Sequence, residues 1–382
     1  MTRGGILAGM NSENNSAASS RLESLDALRG FDMLFIMGGA SLVVAICAAF
    51  GASDCWLAKQ MVHVPWHGLA HHDTIFPLFL FIAGVTFPFS FARQTEKGAS
   101  RRRVLGHIAY RAAMLFLLGL VCNGLLNFKF DHLRVWSVLG RIGLAWAGAA
   151  VLYVALKTWI RTRIGLAAVI LVGYALLARF GGAPDHPGAD PFSMEGCFVC
   201  WLDRVLLPNH IYKPLYDPEG LLGIVPAVVT AMLGMFAGEF IRREDVSGER
   251  KAVLLLVGAV GLGLAAWGMS FLMPVNKALW SSSFVLAVGS YSAVMLAAFY
   301  WIIDVKGWRR WAFFFKVIGM NSITIYMAKL IIPFGSVNDF FFRGVRSLLP
   351  DSLSKIALHL GYIAVCWLFL LFLYRRKIFL KV

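Results

Sequence analysis

The chain has 382 residues, 59% of them hydrophobic and 15% charged, with a mean hydropathy of +0.70. A soluble domain of this length is far less apolar, so a water-facing globular protein is excluded. The formal net charge is +15, but the Lys and Arg residues are dispersed over short loops rather than gathered on one face, which argues against a nucleic-acid partner.

Residues 1–20, MTRGGILAGMNSENNSAASS, are small and polar with no apolar signal-peptide core, and are expected to form a disordered cytoplasmic tail. A bilayer core about 30 Å thick needs roughly 20 apolar residues per helix. Runs of that kind lie near 30–50, 74–92, 106–125, 135–156, 164–180, 221–241, 252–271, 283–303, 312–333 and 356–374. They predict an all-α polytopic membrane protein of about ten transmembrane helices, with 21–382 forming one membrane domain. Barrel strands would be shorter and would alternate in polarity. If the first run leaves the cytoplasm, 22 basic residues fall inside and nine outside. The positive-inside rule then places both termini in the cytoplasm and assigns most of the net charge to topology and contact with anionic membrane lipid.

Between the first two runs, four of the nine histidines occur at His63, His67, His71 and His72, immediately before Asp73. On a continuous helix the 63, 67, 71 spacing would make a metal-binding face, but Pro65 and Gly68 interrupt it, and no metal is expected. A partly buried histidine beside a carboxylate is instead suited to acid–base chemistry near neutral pH. Trp66, Phe76 and Phe79 would supply its apolar wall. Asp73 also has the position of a cap for the helix that follows.

Further along, Arg111, Arg141, Arg179, Lys316 and Lys329 fall inside or at the edge of apolar runs, where ionisable groups are costly and mark candidate functional positions. The long external segment 181–220 is rich in Pro, Gly and Asp and is expected to form a cap loop. Its CFVC pair and Cys55 face outward, and a disulfide between two of Cys55, Cys197 and Cys200 is expected. Asp217 and Glu219 follow in a D-P-E-G turn, and Asn276, Lys277 and Trp280 form a polar–aromatic group between later runs. No internal repeat supports an inverted-repeat transporter.

Several segments carry a resemblance: SLDALRGFDML (24–34), HVPWHGLAHHDTIFPLFLFIAG (63–84), LRVWSVLGRIGLAW (133–146), DRVLLPNHIYKPLYDPEGLLG (203–223), PVNKALWSSSFVL (274–286) and GMNSITIYMA (319–328). In this order they resemble the transmembrane acyltransferase family that includes the heparan-α-glucosaminide N-acetyltransferases, over about residues 21–374. The match leaves out the luminal N-terminal domain of the animal enzymes, as expected of a compact bacterial member in the inner membrane. His67 stands where the animal enzymes are expected to carry Asn. The resemblance implies N-acetylation of glucosamine, or of a terminal glucosamine residue, outside the membrane, using cytosolic acetyl-CoA and no metal. It implies His63 as general base, with Asp73 orienting it. Arg141, Lys316, Asn321 and Ser322 are the expected acetyl-CoA contacts. His67, Asp217, Glu219, Asn276 and Trp280 are the expected acceptor contacts, and a homodimer is implied as well. Two other readings stay open on the residues: an amino-sugar transporter or permease, and a glycan O-acyltransferase, which a His–Asp pair would also serve.

Overall fold

Apolar runs broken by charged turns give helices wherever backbone groups must be satisfied without water. The computed structural model describes residues 22–380, so the expected tail 1–20 lies outside the described residues. In chain order the elements are α1 (Glu23–Leu34), a wider turn at Phe35–Gly39, α2 (Ala40–Ala49), α3 (Trp56–Gln60), α4 (His71–Glu96), α5 (Arg101–Cys122) and α6 (Val138–Ala155). They continue as α7 (Ile160–Phe180), α8 (Phe198–Leu206), α9 (Ile224–Ile241), α10 (Gly248–Ser270), α11 (Ser282–Phe299), α12 (Ala312–Met320), α13 (Ser322–Ile331), α14 (Phe334–Ser347) and α15 (Asp351–Arg375). Among the described residues nine stretches are long and apolar enough to cross a membrane, and α12–α13 adds a tenth as one span bent by 66°. Among the described residues the fold is all-α, with only an isolated bridge between Gly182 and Cys197.

Burial separates the centre from the lipid face. The apolar windows of α4 and α9 are 67% and 61% buried, against 28% for α5 and 22% for α10, so α4 and α9 form the axis of the bundle. They approach closely because Gly84 of α4 and Gly234 and Gly238 of α9 carry no side chain. A Cβ on Gly234 would stand 2.0 Å from the Phe81 carbonyl oxygen, and one on Gly238 2.3 Å from that of Val85. Small residues allow this backbone contact where lipid supplies no hydrophobic drive. Gly234→Ala is therefore expected to force the two helices apart and cost about 3 kcal/mol, read as a lowered thermal midpoint in detergent.

Two spans are broken. The first bends at Phe35–Gly39, where Gly38 has φ 121, and the other at Asn321. Lys329 of α13 donates to the Ile36 carbonyl at 2.7 Å, which satisfies a backbone oxygen at the first break and ties the two spans together. An intramembrane lysine thus has a structural task. The amphipathic α14 was not anticipated. It buries Phe334 and Asn338 and exposes Phe340 and Phe341 beside the spans, and the Asn338 amide donates to the Leu358 carbonyl at 3.1 Å.

The cap contains α8. All six cysteines are free thiols, so the expected disulfide is not formed. Cys55 instead opens α3, where its sulfur accepts from the Ala58 amide at 3.4 Å. Cys197 and Cys200 are buried together at the start of α8.

Candidate active site

The loop 61–70 is irregular because Pro65 and Gly68 deny it a helix, and the Gly68 amide is held by the Val275 carbonyl at 2.8 Å. It lies against the entry to α4 in a geometry governed by Asp73. One oxygen of that carboxylate accepts the amides of Ala70 (3.2 Å) and Val64 (3.3 Å). The other accepts from His63 Nδ1 at 2.7 Å. Capping and orienting are thus one arrangement. An ionised carboxylate only accepts, so the imidazole proton sits on Nδ1 and the lone pair on Nε2. The His63 side chain is 54% exposed and that of Asp73 1%, leaving the imidazole open and the carboxylate shielded.

Lys277, 214 residues away in sequence, completes the cluster. Its Nζ lies 3.1 Å from His63 Nδ1 and 3.4 Å from Asp73 Oδ1. Burial pushes the Lys277 ammonium below the ordinary lysine range, with Asp73 pulling the other way. The His72 ring lies 4.5 Å from that of His63.

His63, His72 and Lys277 line an outer chamber of about 820 Å³ that also includes Glu219, Tyr326, Lys355 and His359, with Asp73 behind His63. A second, inner chamber of about 480 Å³ is lined by Arg29, Arg111, Ser322, Ile323 and Phe379 among others. Arg29 and Phe379, from opposite ends of the chain, share this chamber, so both described ends of the chain reach the bundle end away from the histidines. Four residues line both chambers: Ile36, Phe76, Val138 and Tyr326. The chambers adjoin where the two broken spans meet the first turns of α4 and α6.

The other expected site residues distribute unevenly. His67 is exposed outside the chamber, with Nδ1 3.3 Å from the Asn276 amide nitrogen. The three histidines of the metal-like spacing diverge, His63 to Asp73, His67 to Asn276 and His71 to the Tyr291 hydroxyl. Among the described residues no group of three or more His, Cys, Asp or Glu side chains could hold a metal. Asn276 is fully buried and its carbonyl accepts the Leu279 amide at 2.9 Å. Trp280 is fully buried too, in contact with Phe76 and Phe284 and 5.0 Å from the Arg141 guanidinium, so it presents no face to a sugar.

Asp217 accepts from Arg134 and from the Tyr212 and Glu219 amides, which makes it the brace of the cap. Burial alone would depress Arg134, but the carboxylates of Asp217 and Glu219 outweigh it and hold the guanidinium above its usual value. Glu219, also paired with Arg134, keeps an edge in the outer chamber. Arg141 stands at the histidine end, not at the end where CoA phosphates are expected. It is 1% exposed and donates to the Gly220 carbonyl at 2.9 Å. Gly220 must be glycine, since a Cβ there would stand 1.7 Å from an Asp203 oxygen. Burial raises Asp203 to about 6, while its other oxygen accepts the Leu221 amide. Lys316 pairs with Glu23 at 3.3 Å at the opposite end and lies outside the inner chamber's wall. Ser322 lines the inner chamber, and Asn321 is buried at the bend.

No family model matches the chain. It is 28% identical to heparan-alpha-glucosaminide N-acetyltransferase of Homo sapiens over 96% of its length, and 26% identical to that of Mus musculus over 97%. The chain resembles these proteins, and the matched region spans about three fifths of their own length, 61% and 62% respectively.

Proposed function

We propose that the protein is a transmembrane N-acetyltransferase that passes the acetyl group of cytosolic acetyl-CoA to the amine of glucosamine, or of a terminal glucosamine residue, on the other side of the membrane. The observation that carries this reading is the pair of chambers, one cationic and one lined by His63 and Lys277 with Asp73 behind the histidine, adjoining at four shared side chains. A transporter needs one site with alternating access. Two adjoining chambers, one against Arg29 and Arg111 and the other against His63 and Lys277, instead suit two substrates that react without crossing.

On this reading the phosphates of CoA lie toward Arg29 and Arg111, and the positive-inside bias makes that end cytosolic. Arg111 takes the task expected of Arg141. Its guanidinium is stacked 4.4 Å from the Trp146 ring centroid, and its Nε has no partner. The acetyl end reaches the junction, and the amino sugar enters the outer chamber, where Glu219 is available to its hydroxyls or ammonium. His63 Nε2 takes a proton from the neutral amine as the C–N bond forms, and Asp73 stabilises the resulting imidazolium.

Purified protein supplied with acetyl-CoA and glucosamine is expected to release thiol in step with N-acetylglucosamine. Arg111→Met is expected to raise the KM for acetyl-CoA about tenfold and leave that for the sugar unchanged, as loss of one charge-assisted contact implies. Sugar flux into proteoliposomes without thiol release would identify a permease instead. Thiol release only with hydroxyl acceptors would identify an O-acyltransferase.

A further inference from the structure

We propose that the Tyr326 hydroxyl is the hydrogen-bond donor that stabilises the oxyanion formed at the thioester carbonyl, an inference that rests on the transferase reading above. A donor arriving through the inner chamber and an amine arriving through the outer one meet only where the chambers adjoin. Of the four residues there, Ile36, Phe76 and Val138 offer hydrocarbon or an unsubstituted ring, and Tyr326 alone carries a hydrogen-bonding side chain. Among the described residues no protein acceptor engages its hydroxyl.

The backbone explains the placement. The 66° break at Asn321 turns α13 away from the line of α12, and Ser322, Ile323 and Tyr326 then present one face to the inner chamber. A broken helix within a membrane is tolerated where it is buried in protein or lines a cavity. Phe76, also at the junction, lies one turn beyond Asp73 on α4, so the phenol and the His63–Asp73 pair flank one short stretch of that helix. The amine and its base approach from the outer chamber and the sulfur from the inner one, with Tyr326 beside the carbon between them.

The step balances without a net proton on the phenol. The amine lone pair forms the C–N bond, the carbonyl π pair moves to oxygen, and His63 takes the amine proton. When the C=O bond re-forms, the C–S bond breaks and its electron pair leaves on sulfur. The proton held by His63 then returns to the thiolate, giving amide and thiol. Tyr326 donates a hydrogen bond to the oxyanion and keeps its proton. A phenol of ordinary pKa about 10 is a poor acid toward a thiolate whose thiol has pKa about 8.5, which favours the oxygen over the sulfur as its target. Preorganised donors of this kind contribute about 10²–10³ in kcat.

Tyr326→Phe keeps the ring and removes the hydroxyl. It is expected to lower kcat by about 10²–10³, while the affinity for a non-reactive thioether analogue of acetyl-CoA stays at the wild-type value. An equal loss is expected with an acetyl donor built on a more acidic thiol. A wild-type rate in Tyr326→Phe would overturn the proposal, and so would full rescue by the better leaving group, which would assign the hydroxyl to sulfur. If the variant fails to bind the analogue, difluorotyrosine at 326 decides the matter. A kcat that changes with hydroxyl acidity supports the donor role, and an unchanged kcat overturns it. Absence of thiol release from the wild-type protein would instead sink the transferase reading itself.

Discussion

Replacing His63 with alanine is expected to lower acetyl transfer by about 10³–10⁴-fold, the upper part of the range for a general base, with acetyl-CoA binding intact. The inner chamber, where CoA is proposed to bind, lies on the far side of Ile36, Phe76, Val138 and Tyr326, and His63 does not line it. Loss of the imidazole therefore leaves the donor's contacts in place. Imidazole added to the medium is expected to restore part of the rate, because the outer chamber is large and His63 is more than half exposed. The wild-type protein, incubated with radiolabelled acetyl-CoA and no sugar and then quenched, is expected to carry no stoichiometric label. A histidine accessible to water would lose an acetyl group by hydrolysis, and the Asp73 contact suits an imidazolium more than an acyl-imidazole. Stoichiometric label on His63 would replace direct transfer with a ping-pong route.

The parts of the site that were legible in the sequence are the local ones. His63 and Asp73 are 10 residues apart, and both Pro65 and Gly68 announce the loop that lets them meet. Apolar runs of membrane length likewise mark the ten spans without reference to anything distant. Lys277 shows what such reading leaves out. It sits in a motif whose polar and aromatic residues look equally available, yet the fold buries Asn276 and Trp280 and turns only Lys277 toward the histidine. Nothing in the order of those residues encodes which face of the 273–281 loop meets a segment more than 200 positions earlier.

Arg141 shows a second limit of such reading. An arginine near the start of an apolar run reads as a functional cation, but its depth and partner depend on Gly220 and Gly223 coming close enough to enclose it. A Cβ on Gly223 would lie 2.7 Å from its guanidinium. The break at Asn321 was hidden for another reason. Apart from Lys316 and Lys329, the stretch 312–332 is largely apolar around MNSIT, and its first proline is Pro333 at the far end, so hydropathy reads it as one straight helix. Tyr326 acquires its place only through that bend.

Asp73→Asn is expected to cost nearly as much as loss of His63, about 10³–10⁴-fold in kcat, for a different reason. In the native arrangement the carboxylate accepts at both oxygens, from His63 Nδ1 on one and from the Ala70 and Val64 amides on the other. An asparagine that keeps its oxygen toward the two amides, so preserving the cap, must turn its NH₂ group toward His63. The imidazole then accepts at Nδ1 and carries its proton on Nε2, the wrong tautomer for a base; the corresponding substitution in a serine-protease triad lowers kcat by about 10⁴. The same change removes the counter-charge to Lys277, whose Nζ is left 3.1 Å from the ring. Two readouts separate this mechanism from simple unfolding. Acetyl-CoA binding and the thermal midpoint are expected to change little, since an amide oxygen still caps α4, and added imidazole is expected not to rescue Asp73→Asn although it rescues His63→Ala. Because both residues act as one unit, the double variant is expected to be no slower than the worse single one. Additive losses would mean that Asp73 contributes through the fold of the 61–70 loop rather than through the histidine it holds.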